Sequence, residues 1–478
     1  MAAIELKANL APLVDALVAG DEVRVLQESH ALLQQGDTAD VLIGRIGLLA
    51  APADNDGHVV QSLDAAAMLS RDLHTIPQPL EGNISLAERA YPLFVQAVFL
   101  AAPTVRAGKD MHVTYPEAIF PSSLGEHGSE TEAVRQAVAS NNVERTEGLL
   151  FGLHGTGADY RSLEVRAYDS IATTFQSQGH PLICAARGFQ LLDAVEWASR
   201  TEVIMHWLAP KIVLRPNVSQ PEWVQTVQSF AQQHSMESIR ARIAFPNDAN
   251  ALPLRQLVLS DADTTRVCQG VYDAVIPGGA SPRGVASVLA LAAADILNLV
   301  NDSDRGVFVR VAHGLLFASA IRLAFHQVQD TDILPLLYTS AAYVNALYKQ
   351  TLAERHPVPT ATTPTTSQVI GGGLIAPAQL DTLRAQLQGQ DAAGAFTTVR
   401  RYLTLNHDPR ALWATIALAA AQVDSTADEG HTLQVVLAAS EEYLSWPRDL
   451  TNTNIEPFIQ AAIRAAAFGK PDPRLAQA

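Results

Sequence analysis

The sequence predicts an all-α protein made of four internal repeats of about four helices each, assembled into one large helical-repeat domain. Three observations carry this expectation. Hydrophobic residues fill 48% of the 478 positions but aromatic residues only 6%. A core of Ala and Leu suits close-packed helices better than strands, which favour β-branched and aromatic residues. Apolar residues recur at helical spacing between Gly, Pro, Asn and Asp punctuation. Finally, one order of elements returns along the chain: an interrupted helical arm, a turn, a small-residue helix, a loop, a histidine-led helix and a closing helix, often marked by proline.

The first repeat spans 9–103. Its arm runs from Leu13 to Gln35 and is interrupted at Gly20-Asp21. Gly36-Asp37-Thr38 is a turn, and Ala39 to Ala51 is a small-residue helix in which Gly44 and Gly47 allow close approach. After a loop, His58 opens a helix reaching about Leu73, and Tyr91-Pro92-Leu93-Phe94 begins the closing helix. The fourth repeat, 378–470, copies this order. Its arm breaks at Gly389-Gln390-Asp391, its turn is Asn406 to Pro409, its small-residue helix is Ala411 to Ala420, and His431 opens its third helix before Ile455-Glu456-Pro457-Phe458. The second repeat, 132–213, has its break at Ser140-Asn141-Asn142, a turn at Gly155-Thr156-Gly157, a Tyr160 to Phe175 helix and then Gly179-His180. In the third, 252–350, the break is Ser260 to Asp263, Arg283 to Leu297 is the small-residue helix, and His313 follows a longer loop. About sixteen core helices result. The connectors are less regular: Trp223 to Arg240 suggests an extra helix, and 354–377 is a Thr/Pro/Gly-rich linker.

Composition excludes several function classes. With 33 basic and 49 acidic residues the net charge is −16, and no basic run is present. Such a chain is a poor partner for nucleic acid or an anionic membrane surface. The two cysteines, Cys184 and Cys268, cannot hold an iron–sulfur cluster that needs four thiolates from this chain, and they argue against a disulfide framework. Met1 to Leu10 has no apolar signal-like run, and Gly284 to Val300 is short for a membrane span. No membrane span and a cytoplasmic location are expected.

His58, His180, His313 and His431 occupy equivalent places in the four repeats. If the units close on one another, these side chains converge. Four neutral imidazoles would then suit a transition metal such as iron or zinc, or serve as acid–base groups near neutral pH. If the units form an open solenoid, the histidines lie apart and each is a helix-start residue in a half-buried niche. Carboxylates near them are Asp54 and Asp424 in preceding loops, Asp169 and Asp295 near second-helix ends, and Asp64 and Asp193 in third helices. His180 and Cys184 share a helix face, although Cys184 also reads as a small buried hydrophobe. His154-Gly155-Thr156-Gly157 reads as a turn, and Gly371-Gly372-Gly373 as flexible linker. The Val307 to Phe325 stretch reads as a buried helix whose Arg310 and Arg322 reach carboxylates or the surface. No Gly-x-Ser-x-Gly elbow, Walker loop or His-Glu-x-x-His pair occurs.

Gly179-His180-Pro181-Leu182-Ile183, followed by a small-residue helix, resembles the questin oxidase-like family. Members are helical, carry repeated histidine-led helices, and include fungal enzymes that open an anthraquinone ring in a Baeyer–Villiger-type reaction with NADPH. Similar helical regions occur fused to Rieske iron–sulfur domains. Here Cys184 stands where relatives carry a second histidine, and Gln190 where an acid is expected. The resemblance implies a monooxygenase-like oxidoreductase acting on a hydrophobic, aromatic or polyketide-like molecule. It also implies NADPH as a cofactor. The chain has no Rieske pattern of its own, so redox chemistry calls for electrons from elsewhere, such as a redox partner protein. The alternative is a non-catalytic helical-repeat scaffold that binds a partner protein on a concave face.

Overall fold

Each of the four predicted interruptions is a helix N-cap. In the computed structural model, the side-chain oxygens of Asp21, Asn142, Asp263 and Asp391 accept from the backbone N–H of Arg24, Arg145, Arg266 and Gly394 at 2.8–3.0 Å. A short polar side chain here satisfies an orphan donor of the next helix, so the arm restarts in a new direction instead of continuing. The structure describes residues 7–77, 84–124, 129–156, 160–197, 200–236, 246–301, 304–328, 330–354, 375–450 and 452–475.

The first arm gives α1 (Ala11–Ala19) and α2 (Glu22–Leu33), followed by α3 (Ala39–Ala50), α4 (His58–Arg71) and α5 (Leu86–Gly108). Next come α6 (Glu130–Ala139), α7 (Val143–Gly155), α8 (Tyr160–Ile171), α9 (His180–Val195) and α10 (Arg200–Ile212), with α11 (Glu222–Gln233) in the connector. A third group is α12 (Pro253–Val258), α13 (Thr264–Val275), α14 (Pro282–Leu297), α15 (Arg305–Gln327) and α16 (Pro335–Ala353). The last is α17 (Ala376–Gln388), α18 (Ala392–Thr404), α19 (Pro409–Ala420), α20 (His431–Leu444) and α21 (Glu456–Ala467). The fold is all-α, and the described residues hold only one isolated β-bridge, between Val423 and Pro471. Among the described residues, twenty-one helices stand where about sixteen core helices and one connector helix are expected, because each capped break makes two helices of one arm. The connector helix ends at Gln233 rather than near Arg240. Most of the 354–377 linker, with Gly371-Gly372-Gly373, lies outside the described residues, and α17 already begins at Ala376.

Four helices form the centre. α4 packs on α9 and α20, and α15 packs on the same two, so the quartet closes. All four run the same way. At one end the rings of His58 and His180 are 4.6 Å apart and those of His313 and His431 4.9 Å. Toward the C-terminal end Arg187 meets Asp64 and Glu441, and Arg322 meets Glu442. Parallel neighbours cannot be joined by a tight turn, so the chain returns through outer helices between one central helix and the next. The small-residue helices α3, α14 and α19 lie against α4, α15 and α20. Gly44 and Gly47 of α3 also face α9, where an added Cβ would come within 2.3 Å of Val195 and 2.9 Å of Leu191.

Both α5 and α15 are long and apolar enough to cross a membrane, yet 72% and 83% of their most apolar windows are buried inside the fold. A helix apolar on every face is also what a position at the centre of a large helical protein demands.

α4, α9 and α20 all begin directly after a glycine in the left-handed region: Gly57 (φ +92°), Gly179 (φ +89°) and Gly430 (φ +75°). His313 departs from this pattern. It lies inside α15, two turns past the Asp304 cap, so it does not open a helix as the sequence predicts. The residue before it is the local reason: Ala312 stands where the other three histidines follow a glycine, and it continues the helix.

Gly179 lacks room as well as a tolerant backbone, since a Cβ there would meet the Phe317 ring at 2.3 Å, whereas at Gly36 (φ +92°) it would meet nothing within 4 Å. We expect Gly36→Ala to cost about 1 kcal/mol from the backbone alone and Gly179→Ala to cost about 2–4 kcal/mol. Urea denaturation measures both, and equal losses would discount the packing contribution.

Candidate metal centre

The three glycine-led starts aim their first side chains into the space between the central helices, and His313 reaches the same space from within α15. The His180 and His313 Nε2 atoms are 3.0 Å apart, and those of His313 and His431 3.3 Å. His58 joins from the other side, with ring centroids 4.6 Å from His180, 5.1 Å from His431 and 6.4 Å from His313. One ligand atom each from His58, His313 and His431 lies within 4.8 Å of the others. Thus all four sequence-predicted histidines come together instead of lying apart.

Hydrogen bonds on the far side of the rings set the tautomers. His313 Nδ1 lies 2.9 Å from the Val309 carbonyl, and His431 Nδ1 lies 2.6 Å from the Asp428 carbonyl. A carbonyl only accepts, so each Nδ1 carries the hydrogen and each Nε2 of the neutral ring presents a bare lone pair. Two such lone pairs therefore face each other at 3.3 Å. His180 Nε2–H can donate to the His313 lone pair at 3.0 Å, which leaves the His431 lone pair facing an acceptor already in use. A tetrahedral centre with metal–nitrogen bonds of about 2.0–2.1 Å sets its nitrogens about 3.3 Å apart.

A shared proton is disfavoured. Burial, reinforced by the neighbouring imidazoles, drives His180, His313 and His431 each down to about 3. His58 differs. Burial pulls it down too, but Asp56, with Glu429 and Asp54 behind it, outweighs this and raises it above its ordinary value. Its Nδ1 stands 3.3 Å from Asp56 Oδ1 and 3.3 Å from Glu429 Oε2, ion-pair distances without hydrogen-bond alignment.

The helix starts need caps, because glycine offers no side-chain acceptor. Asp54 supplies one for α4: Oδ1 accepts from Gly57 N–H at 3.1 Å, and Oδ2 from Val60 N–H and Trp207 Nε1–H at 3.0 Å. For α20 the capping residue is Asp428, whose Oδ2 accepts from Thr432 N–H at 3.1 Å and from Arg305 at 2.7 Å. Asp424, the sequence-based counterpart of Asp54, instead caps the short turn at Thr426 and pairs with Arg474. Asp169 pairs with Arg135, Asp295 with Arg255, and Asp193 with Trp197 and Arg161. Asp64 lies deeper in the quartet, near Arg187.

Asp56 and Glu429 escaped sequence reasoning, although the chain repeats their pattern: acid-Gly-His occurs at Asp56-Gly57-His58 and at Glu429-Gly430-His431. Cys184 is fully enclosed, its sulfur accepting from Gln61 Nε2 at 3.0 Å, and burial pushes its thiol up to about 12. It is placed as a buried neutral thiol. His154 and Gly155 end α7, and Gly157 lies outside the described residues. Arg310 and Arg322 reach Glu354 and Glu442.

No protein-family model matches the chain, and no match emerges among curated proteins or solved structures.

Neutral buried imidazoles tie stability to pH. In the unfolded chain His180, His313 and His431 take up protons below about 6.5, but in the folded protein only near 3. Their contribution is therefore full above about pH 6.5 and is lost as pH falls toward 3. His58, raised in the fold, acts in the opposite sense. We expect the urea midpoint of metal-free protein to fall less between about pH 7 and pH 5 in His313→Gln than in the parent. An unchanged slope would mean that His313 is not held neutral.

Proposed function

We propose that His58, His180, His313 and His431 hold one transition-metal ion, iron or zinc, and that the protein is an oxidoreductase acting on a hydrophobic, aromatic or polyketide-like small molecule. The observation that carries the metal is the convergence of the four rings, with the Nε2 acceptors of His313 and His431 3.3 Å apart and their Nδ1 hydrogens committed to carbonyls. Buried neutral bases in this pose repel one another and gain most from a cation. When bound, such an ion supplies Lewis-acid polarisation, a bound nucleophilic water or, for iron, redox chemistry.

The chain's own residues supply the surroundings. Asp56 and Glu429 offer negative charge beside His58, the ring best able to carry a proton. Beyond His180 and His313 an aromatic cluster joins Phe175, Trp223, Phe317 and Tyr343, with Phe175 4.4 Å from Tyr343 and 5.6 Å from Phe317 between centroids. These rings pack on one another in an apolar patch next to the histidines. The class of reaction, NADPH and a redox partner protein are supported by the family resemblance alone. We further propose that the four helix groups are copies of one unit. Their matching Asp or Asn caps and the three Gly-His helix starts support this. A scaffold that only binds proteins gives no account of four desolvated imidazoles around one point.

Elemental analysis of purified protein is the direct test. About one metal per chain is expected, with occupancy reduced more than tenfold in His313→Ala and His431→Ala. Chelation is expected to remove about 3 kcal/mol of stability when metal had stood near 100 times its dissociation constant. Protein that stays metal-free after incubation with iron(II) and with zinc would end the proposal. Stoichiometric metal without oxidation of any anthraquinone-type substrate would leave a structural centre in place of an enzyme.

A further inference from the structure

The same four central helices carry a second polar layer nearer their C-terminal ends. α4 contributes Asp64, α9 contributes Arg187 and Gln190, α15 contributes Arg322, and α20 contributes Glu441 and Glu442. Three carboxyl groups share the two guanidinium groups of the layer, with Arg283 and Arg71 at its margins. The contacts show which carboxyl is left without a close partner. Glu441 takes Arg187 at 3.1 Å and Gln190 at 2.7 Å, with Arg322 3.8 Å away. Glu442 takes Arg322 at 2.6 Å. Asp64, with no exposed surface, has neither carboxyl oxygen hydrogen-bonded, and its nearest cation, Arg187, stands off at 3.7 Å with its nearer nitrogen already shared between Gln190 and Glu441.

We infer that Asp64 is a buried proton-binding site, protonated at neutral pH and placed to discharge its proton when positive charge enters the histidine ring. The charged groups facing it are Arg187 and Asp193 of α9, Glu441 of α20 and Arg71 of its own helix. An unpaired buried carboxylate is the costliest member of such a set, and neutralising it costs least. Burial also moves its titration well above the ordinary carboxyl range, ahead of the opposing pull of Arg187. Asp64 lies six positions after His58, about 9 Å along one helix, through packed interior. Charge at one end of this path shifts protonation at the other, and the coupling is reciprocal. The carboxylic acid becomes a carboxylate, and its proton leaves to water, nearest on the side of the partly exposed Glu441. This second half rests on the metal assignment above; the protonation of Asp64 does not.

Two measurements on full-length protein decide it. Infrared spectra of metal-free protein at pH 7, with and without carbon-13 aspartate, should show the carbonyl stretch of a protonated aspartic acid, lost in Asp64→Asn. The same variant should fold with an equilibrium constant within about tenfold of the parent, because asparagine keeps the shape and neutrality. An absent acid band, or a loss of more than about 100-fold in the folding constant, would show an ionised Asp64 paired with Arg187 and overturn the inference. Calorimetric zinc titration in buffers of different ionisation enthalpy should release more protons from the parent than from Asp64→Asn. Equal release would overturn the coupling to the ring. Failure of zinc to bind at all would instead strike the metal assignment, with the infrared result still deciding the state of Asp64.

Discussion

The structure turns on the mutual repulsion of neutral imidazoles. His313 and His431 commit their hydrogens to the carbonyls behind them and bring lone pairs together at 3.3 Å. Nothing in hydrophobic packing alone favours this. It is imposed by four helices that run in one direction, three of which begin at the site. Helix N-termini carry partial positive charge, and that field opposes protonation of the rings just as burial does. The arrangement therefore disfavours added protons on His180, His313 and His431 and keeps their rings neutral.

The same field would also oppose a metal cation, and the acidic groups around the site answer it. Asp54 and Asp428 bind the free N–H groups of α4 and α20, which neutralises the positive ends without occupying the ring. Asp56 and Glu429 stand on the solvent side of His58. Asp54 and Asp56 come from the chain that delivers His58, whereas Glu429, two positions before His431, lends its charge across to His58.

The legible part of the sequence was local. Helix punctuation at Asp21, Asn142, Asp263 and Asp391 could be read because capping needs only a short side chain and the next three residues. The Gly-His starts could be read because φ near +90° favours glycine. His313 shows the limit: it reaches the ring from within a helix whose start is set by Asp304, so a helix-start rule misplaces its context while choosing the right residue. The pairing of Asp424 with Asp54 failed for a related reason. Asp424 is engaged by Thr426 and Arg474, and Asp428 takes the capping role, a choice fixed by contacts with the C-terminal segment and α15. Convergence itself depends on which way the units close, and no window of sequence contains that information.

The buried ionic layer was illegible in another way. Arg187 and Arg322 appear in the sequence as polar interruptions of apolar helices, Arg322 with an expected but unnamed carboxylate partner, and Asp64 as one acid among small residues. Only the closed quartet places them against Glu441 and Glu442. Buried ion pairs rarely gain stability over well-packed apolar groups, but they punish misregister, because a shifted helix leaves a charge without its partner. Here that penalty acts on the same four helices that carry the histidines. A displacement of one helix by a turn would separate Arg322 from Glu442 as surely as it would take His313 from the ring, so the polar layer constrains the geometry that the ligand set requires.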